Sequence, residues 1–395
     1  MNIYFDKKRK IFVHNEKANS PLFWGMFDEL LPLTVEKTDS SLLKINVKKN
    51  GCRVGPLVGI LTSKTKDGDV IGSKDVFINI QNQLQHSGGL SFVYTIEDCQ
   101  EQYIDGAFFV EEENSWFKAS FPYPNIIYNR ISTRSDEKSE QFINHTNKLL
   151  NQQIYFFNPS FIDKYSMYQL FSKNPLLLPL LPSTRLIKEK DDLFEFLDIH
   201  SIIYLKPTIR SQGNGIFHIK KEENGSFICK NSKRTYTFLT YLELWSFVEK
   251  AIQKNSYIAQ VDIESAKISE NKFDYRILSH FVNDEYQITG IGIRVADSGK
   301  ITTHVSKGGS IFPYEKVRKK SLEKVFHWIL QECGKTLSKE YGNFAEFTID
   351  MGRDQSGKLW IYEVNSKPMS FDEKDIEKKR IKSLIQIFYN QTIYN

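Results

Sequence analysis

Between Phe344 and Asn365, two runs rich in β-branched and aromatic residues flank the turn-forming cluster Gly352-Arg353-Asp354-Gln355-Ser356-Gly357. This is the pattern of a β-hairpin. Side chains alternate along a strand, so Glu363 and Asn365 share one face, and Glu346, Thr348 and Asp350 share a face on the partner strand. Such a hairpin gathers oxygen ligands at one spot. Mg²⁺ takes carboxylate and amide oxygens, keeps several waters and completes its shell with substrate phosphates. The hairpin therefore reads as a platform for a metal and phosphate.

A chain of 395 residues buries a large core and divides into two or three domains. The formal charge of +5 permits an anionic ligand without demanding nucleic acid. The charged start, Met1 to Lys10, lacks the apolar core of a secretory signal, and no later apolar run approaches the length of a membrane helix. A cytoplasmic location follows as the simplest expectation. Cys52, Cys99, Cys229 and Cys333 lie far apart with no CxxC pair, which points to isolated thiols in a reducing compartment. HExxH and GxSxG are absent, which argues against zinc and serine hydrolases.

The order of elements reads as α/β mixed with α+β. Residues 1–50 form a small β-rich segment, and residues 51–155 an α/β unit that opens on the near-continuous apolar run Val54 to Thr62 and lacks GxGxxG. Its strand at Ile126-Ile127-Tyr128 leads into Arg130 and Arg134, placed where a sheet of this kind holds ligands. Residues 156–395 begin with a helix running from near Asp163 to Phe171. Then Ile202 to Lys206 reads as a strand that ends in a lysine, followed by the loop Ser211-Gln212-Gly213-Asn214-Gly215, whose glycines let backbone N–H groups approach phosphate. Tyr257 to Ile263 is a strand that turns polar at its end. Arg276 and Arg294 each interrupt an apolar strand and so face a charged cleft. The basic, Gly-rich loop His304-Val305-Ser306-Lys307-Gly308-Gly309 follows, and a last helix carries Ile376, Arg380, Ile381, Leu384, Ile385 and Phe388 on one stripe.

Taken in order, Lys164, Lys206 with its glycine loop, Gln260 to Ile263, Arg276, Arg294, Asp350 and Glu363-Val364-Asn365 resemble the ATP-grasp superfamily. The stretches Gly55-Pro56-Leu57-Val58-Gly59-Ile60-Leu61, Tyr128-Asn129-Arg130, Phe273-Asp274-Tyr275-Arg276 and Glu363-Val364-Asn365-Ser366-Lys367-Pro368 are similar to its YheC/YheD-type branch, the endospore coat-associated proteins of spore-forming Firmicutes. The resemblance implies an ATP-grasp fold over 156–395, with ATP between two subdomains and a Rossmann-like pre-ATP-grasp domain before it. Lys164, Lys206 and the loop with Ser211, Gln212, Gly213 and Gly215 would hold ATP phosphates, and Gln260, Val261, Asp262 and Ile263 the adenine. Asp350, Glu363 and Asn365 would hold Mg²⁺, with Mn²⁺ able to substitute. Arg276, Arg294 and Lys206 would act on the transferred phosphoryl group, and Arg130, Arg134, His304, Lys307, Gly308 and Gly309 would meet the substrate.

Two departures stand out. Arg210 occupies a position where this loop often has Gly, and Thr348 replaces an Arg found two residues before the metal Asp in D-alanine ligases. The implied activity is an ATP- and Mg²⁺-dependent carboxylate–amine ligase acting through an acyl phosphate, with a peptide or spore-coat protein among its acceptors. A mother-cell cytoplasmic or coat location goes with it, without nucleic acid or membrane insertion. A nucleotide-binding coat protein without turnover and a small-molecule kinase stay open as alternatives. No motif specifies an oligomer.

Overall fold

A computed structural model describes residues 1–16, 21–34, 41–65, 67, 70–210, 213–303, 305 and 308–394. The fully buried strand Leu57–Leu61 lies inside the first large sheet, parallel to Leu90–Tyr94 on one side and to Ile126–Asn129 on the other. Tyr155–Phe157 continues the parallel run, whereas Tyr103–Val110 and Ser115–Pro122 close the other edge antiparallel. Helix Lys74–His86 makes the crossover between the first two parallel strands and buries Val76, Ile80 and Leu84. That spacing puts one apolar stripe on the sheet.

The N-terminal strands cover one face of this sheet. Asn2–Asp6 pairs with Ile11–Val13 and Leu42–Asn46, and Leu22–Trp24 pairs with Glu29–Leu31 and Arg53–Gly55. Their aromatic rings share a core with the sheet, with Phe5 lying 4.9 Å from Phe108 and Phe12 5.3 Å from Phe121. Aromatic residues supply most of that joint because each buries a large apolar area. The opposite face takes the last helix, Lys374–Asn390, whose Ile381, Leu384 and Phe388 pack with Val58, Ile60, Ile80 and Leu84.

Two further sheets follow, both wholly antiparallel. One runs Thr184–Ile187, Tyr257–Val261, Ile202–Pro207, Phe217–Lys221, Phe227–Lys230, Thr235–Phe238 and is backed by helices Lys190–His200 and Tyr241–Lys254. The other runs Ser310–Phe312, Glu285–Val295, Asn271–Val282, Glu346–Arg353, Leu359–Asn365, over helix Lys320–Tyr341. A cleft lies between these two sheets. Among the described residues, no helix is long and apolar enough to cross a membrane.

Candidate active site

One wall of the cleft comes from the second sheet. In Ile202–Pro207, Ile203 and Leu205 point into the core, so Lys206 points the other way, into the cleft. Its ammonium donates to Gln260 Oε1 at 2.7 Å. Burial, with Lys164 nearby, lowers its pKa to about 8. Lys164 is the first residue of helix Lys164–Ser172, capped by Asp163. It donates to the Arg210 carbonyl at 2.7 Å and lies 3.4 Å from Glu363. Gly213 and Gly215 have φ of 67° and 78°, the left-handed region that favours glycine. Ser211 and Gln212 lie outside the described residues.

Gln260, Val261, Asp262 and Ile263 line the cleft where the strand Tyr257–Val261 ends. Asp262 meets His218 at 3.0 Å and Lys272 at 3.2 Å. Burial pushes its carboxyl up, but the hydrogen bond to His218 and the charge of Lys272 outweigh that and hold it below the usual carboxylate range.

The facing wall is the hairpin. Asp350 pairs in register with Glu363, and Thr348 with Asn365, so the three expected metal ligands share one face. Asn365 Nδ2 lies 3.4 Å from Asp350 Oδ2. The register shifts just after Asp350, a bulge of the kind that re-aims a side chain. Arg276, opposite Asp350 on the neighbouring strand, reaches it at 3.6 Å and lies over the ring of Phe371. Arg294 lines the same cleft, but its guanidinium is bidentate on Glu373 and lies 3.5 Å from Asp372.

Asp274, named in the sequence analysis only within the stretch Phe273-Asp274-Tyr275-Arg276, also belongs to this wall. It shares a strand face with Arg276 and accepts from Thr303 Oγ1 at 2.7 Å. Burial, with Asp350 nearby, pushes its pKa up to about 6 despite that hydrogen bond. Its spacing two residues before Arg276 was the available signal.

Glu346 shares the hairpin face but is no ligand. It is fully buried, and Arg380 Nε reaches it at 2.5 Å, Tyr128 Oη at 2.5 Å and His280 at 3.3 Å. Burial raises its carboxyl and Arg380 and His280 more than reverse that, holding it far below its ordinary value. Arg130 Nη2 donates to the Pro368 carbonyl at 3.0 Å, and Arg134 donates to Ile162 O at 3.0 Å over the ring of Phe161. The Gly308 N–H donates to the Val305 carbonyl at 3.1 Å, and Gly309 leads into Ser310–Phe312. His304 and Lys307 lie outside the described residues.

Residues 153–392 match the family described as YheC/D like ATP-grasp. The chain belongs to the YheC/D-like ATP-grasp family. It is 28% identical over 368 residues, 87% of this chain and 78% of the relative, to the endospore coat-associated protein YheD of Bacillus subtilis (strain 168). With the coat-associated protein YheC of the same organism it shares 22% identity over 270 residues, 65% of this chain and 73% of the relative. Its fold is similar to that of the D-alanyl-alanine synthetase A of Vibrio cholerae, with a TM-score of 0.51 at 12% identity over 85% of this chain and 98% of that one. VanG D-Ala:D-Ser ligase from Enterococcus faecalis has the same TM-score of 0.51 at 12% identity, covering 86% and 100%. The matched residues span both antiparallel sheets and the cleft between them.

Among the described residues, no group of three or more His, Cys, Asp or Glu side chains is arranged to hold a metal. Two carboxylates and one amide, Asp350, Glu363 and Asn365, form a lighter donor set. That set fits a hard cation whose remaining positions are filled by phosphate and water.

Proposed function

We propose that this protein is an ATP- and Mg²⁺-dependent ligase that joins a carboxylate to an amine through an acyl phosphate. The observation that carries this reading is the cleft in which Lys164 and Lys206 meet Asp350, Glu363 and Arg276, with Asn365 beside Asp350 on the same face of the hairpin. Phosphoryl transfer needs charge neutralised and reactants aligned more than it needs a covalent nucleophile. The cysteines agree with this, since burial pushes the thiols of Cys99, Cys229 and Cys333 up and none of the four, the exposed Cys52 included, lines the cleft.

Lys206 and Lys164 take the phosphates, with the backbone around Gly213 and Gly215 over them, and the strand end Gln260 to Ile263 takes the adenine. Asp350, Glu363 and Asn365 would hold Mg²⁺, which would supply positive charge to the phosphate oxygens. Arg276 faces the transferred group, and Arg294 stands on the neighbouring strand, held by Glu373. A carboxylate oxygen of the substrate attacks the γ-phosphorus, and the bond to the bridging oxygen breaks to release ADP. The amine nitrogen then attacks the acyl carbon, phosphate leaves, and the nitrogen loses its proton to water. The acceptor is a peptide or a coat protein, a reading supported by the coat association that the YheD description prints. Arg130, Arg134, Gly308 and Gly309 lie on the acceptor side. The protein acts in the mother-cell cytoplasm or at the coat.

Calorimetric titration of Mg·ATP into the wild type and Glu363→Ala tests the site, and ADP release with pools of carboxylates and amines tests the reaction. Binding lost in the variant, together with ADP release that needs both substrates, is the expected result. Phosphorylated product without any amine requirement would make the protein a kinase. No binding by the wild type would end the reading.

A further inference from the structure

The contacts around Lys206 form a chain whose donor directions are fixed. Thr184 Oγ1 donates to the Pro182 carbonyl at 2.9 Å, so it accepts from Gln260 Nε2 at 3.1 Å. The remaining end of that amide, Oε1, accepts from Lys206 Nζ at 2.7 Å. An ammonium only donates, so the oxygen must face it, and the amide has a single orientation that satisfies both neighbours. Gln260 is 4% exposed and Thr184 8%, so this relay is part of the sheet interior. It spans adjacent strands, with Thr184 paired to Gln260 and Gln260 to Tyr204.

The cations around Lys206 are treated differently. Lys164 lies 3.4 Å from Glu363, Arg276 3.6 Å from Asp350 and Lys272 3.2 Å from Asp262. Among the described residues, no carboxylate is in ion-pair contact with Lys206. The groups that face it are the rings of Tyr204 and Tyr362, at 5.0 and 5.7 Å, and the more distant charges of Lys164, Glu363, Asp274 and Asp262. A carboxylate at the position of the Gln260 amide would form the strongest kind of hydrogen bond with the ammonium and cancel its charge.

We propose that Gln260 is a positioning residue that aims Lys206 into the cleft with a neutral acceptor, so that its positive charge stays available to an anionic ligand. The ligand follows from the function proposed above, a nucleotide phosphate, and this half of the inference rests on that reading. The neutrality of residue 260 is thereby a determinant of affinity, independent of the backbone contacts that the same strand offers to a base.

The test compares Gln260→Glu with Gln260→Met in the full chain. Glutamate has the same shape and keeps an oxygen beside Lys206, whereas methionine keeps the length and removes the hydrogen bond. Neither glutamate nor methionine can donate to Thr184 Oγ1, so that loss is common to both variants, and if residue 260 merely fills space, glutamate, the closer isostere, is the milder change. If it acts through the charge of Lys206, glutamate is the worse, and Mg·ATP binding weakens about tenfold or more relative to methionine near neutral pH. In parallel, the Lys206 side chain is titrated by NMR in ¹³Cε-lysine-labelled protein, its signal assigned by its loss in Lys206→Met. In the wild type it titrates near the value of about 8 that burial and Lys164 impose, and in Gln260→Glu it moves up. Equal or weaker binding by Gln260→Met than by Gln260→Glu would overturn the role of neutrality. A Lys206 titration that stays in place in Gln260→Glu would overturn the positioning role itself. Absence of Mg·ATP binding by the wild type, with the titration still displaced, would remove the nucleotide and leave the positioning of Lys206 standing.

Discussion

Replacing Arg380 with methionine should leave a charge stranded in the core. Arg380 and Glu346 are both 0% exposed, and the guanidinium donates to Glu346 at 2.5 and 3.3 Å, to Tyr128 Oη at 3.3 Å and to the Pro368 carbonyl at 3.2 Å. Methionine fills much of the same volume, so the cost is electrostatic rather than steric. Breaking a buried pair from one side costs about 3–5 kcal/mol, which for a unit of this size lowers the unfolding temperature by on the order of 10 °C. The sign of the pH dependence separates this from a packing defect. In the wild type, Glu346 is held below its unfolded pKa, so its contribution is complete above about pH 4.5 and is lost only as acid reaches the folded value. In Arg380→Met the buried carboxyl loses its nearest cation and keeps Arg130 at 3.7 Å, the Tyr128 hydroxyl and His280, and its pKa rises above the unfolded one. The folded variant then takes up a proton as pH falls, and the deficit shrinks between about pH 7 and pH 5. Thermal unfolding followed by circular dichroism at both pH values measures it. Adding Glu346→Leu should recover most of the loss. A deficit of less than about 2 °C, one that is the same at both pH values, or one that the second substitution deepens, would refute the reasoning.

Three further outcomes follow from the same geometry. Gly292→Ala places a Cβ 2.6 Å from Glu373 Oε1 and 2.9 Å from Arg294 Nη1, so the pair must part; a loss of about 1–3 kcal/mol in denaturant titration is expected, and an unchanged midpoint would contradict it. Asp274 has its pKa raised to about 6, so the folded state keeps a proton that the unfolded chain releases, and its contribution to stability is lost as pH rises through that value. Asp274→Asn should therefore unfold at a higher temperature than wild type at about pH 8 and lose the advantage at about pH 4.5, which scanning calorimetry at the two pH values will show. Nucleotide affinity should fall as pH rises through about 8, where Lys206 loses its proton, and the fall should be absent from Lys206→Arg, which stays charged.

Local pattern explains what was legible in the sequence. The hairpin, the Lys206 strand and the last helix each carry their own periodicity, and even the place of Arg380 within the apolar stripe pointed to its burial. Its partner was not legible, because Glu346 lies 34 residues earlier, on a strand face it shares with Asp350. The same alternation that brought out Asp350 enrolled Glu346 as an oxygen ligand, and only the packing of a distant helix separates the two. Ser115–Pro122 escaped notice because its residues are largely exposed until Phe121, as befits an edge strand carrying Lys118. Asp274 needed the third dimension, since its displaced titration comes from burial in the cleft and from Asp350 on another strand.

The last helix also bears on how the chain reaches its native state. Its apolar side fills a gap between Val58, Ile60, Ile80 and Leu84 of the first sheet layer and Ala345 beside the hairpin. A chain emerging from the ribosome makes those early residues hundreds of positions before their cover exists. The first unit must then wait with a greasy flank uncovered, a state that invites chaperone capture or clumping. Closure of Lys374–Asn390 is thus a late, long-range event in assembly, and the step that joins the first unit to the hairpin is also the one that ends this exposure.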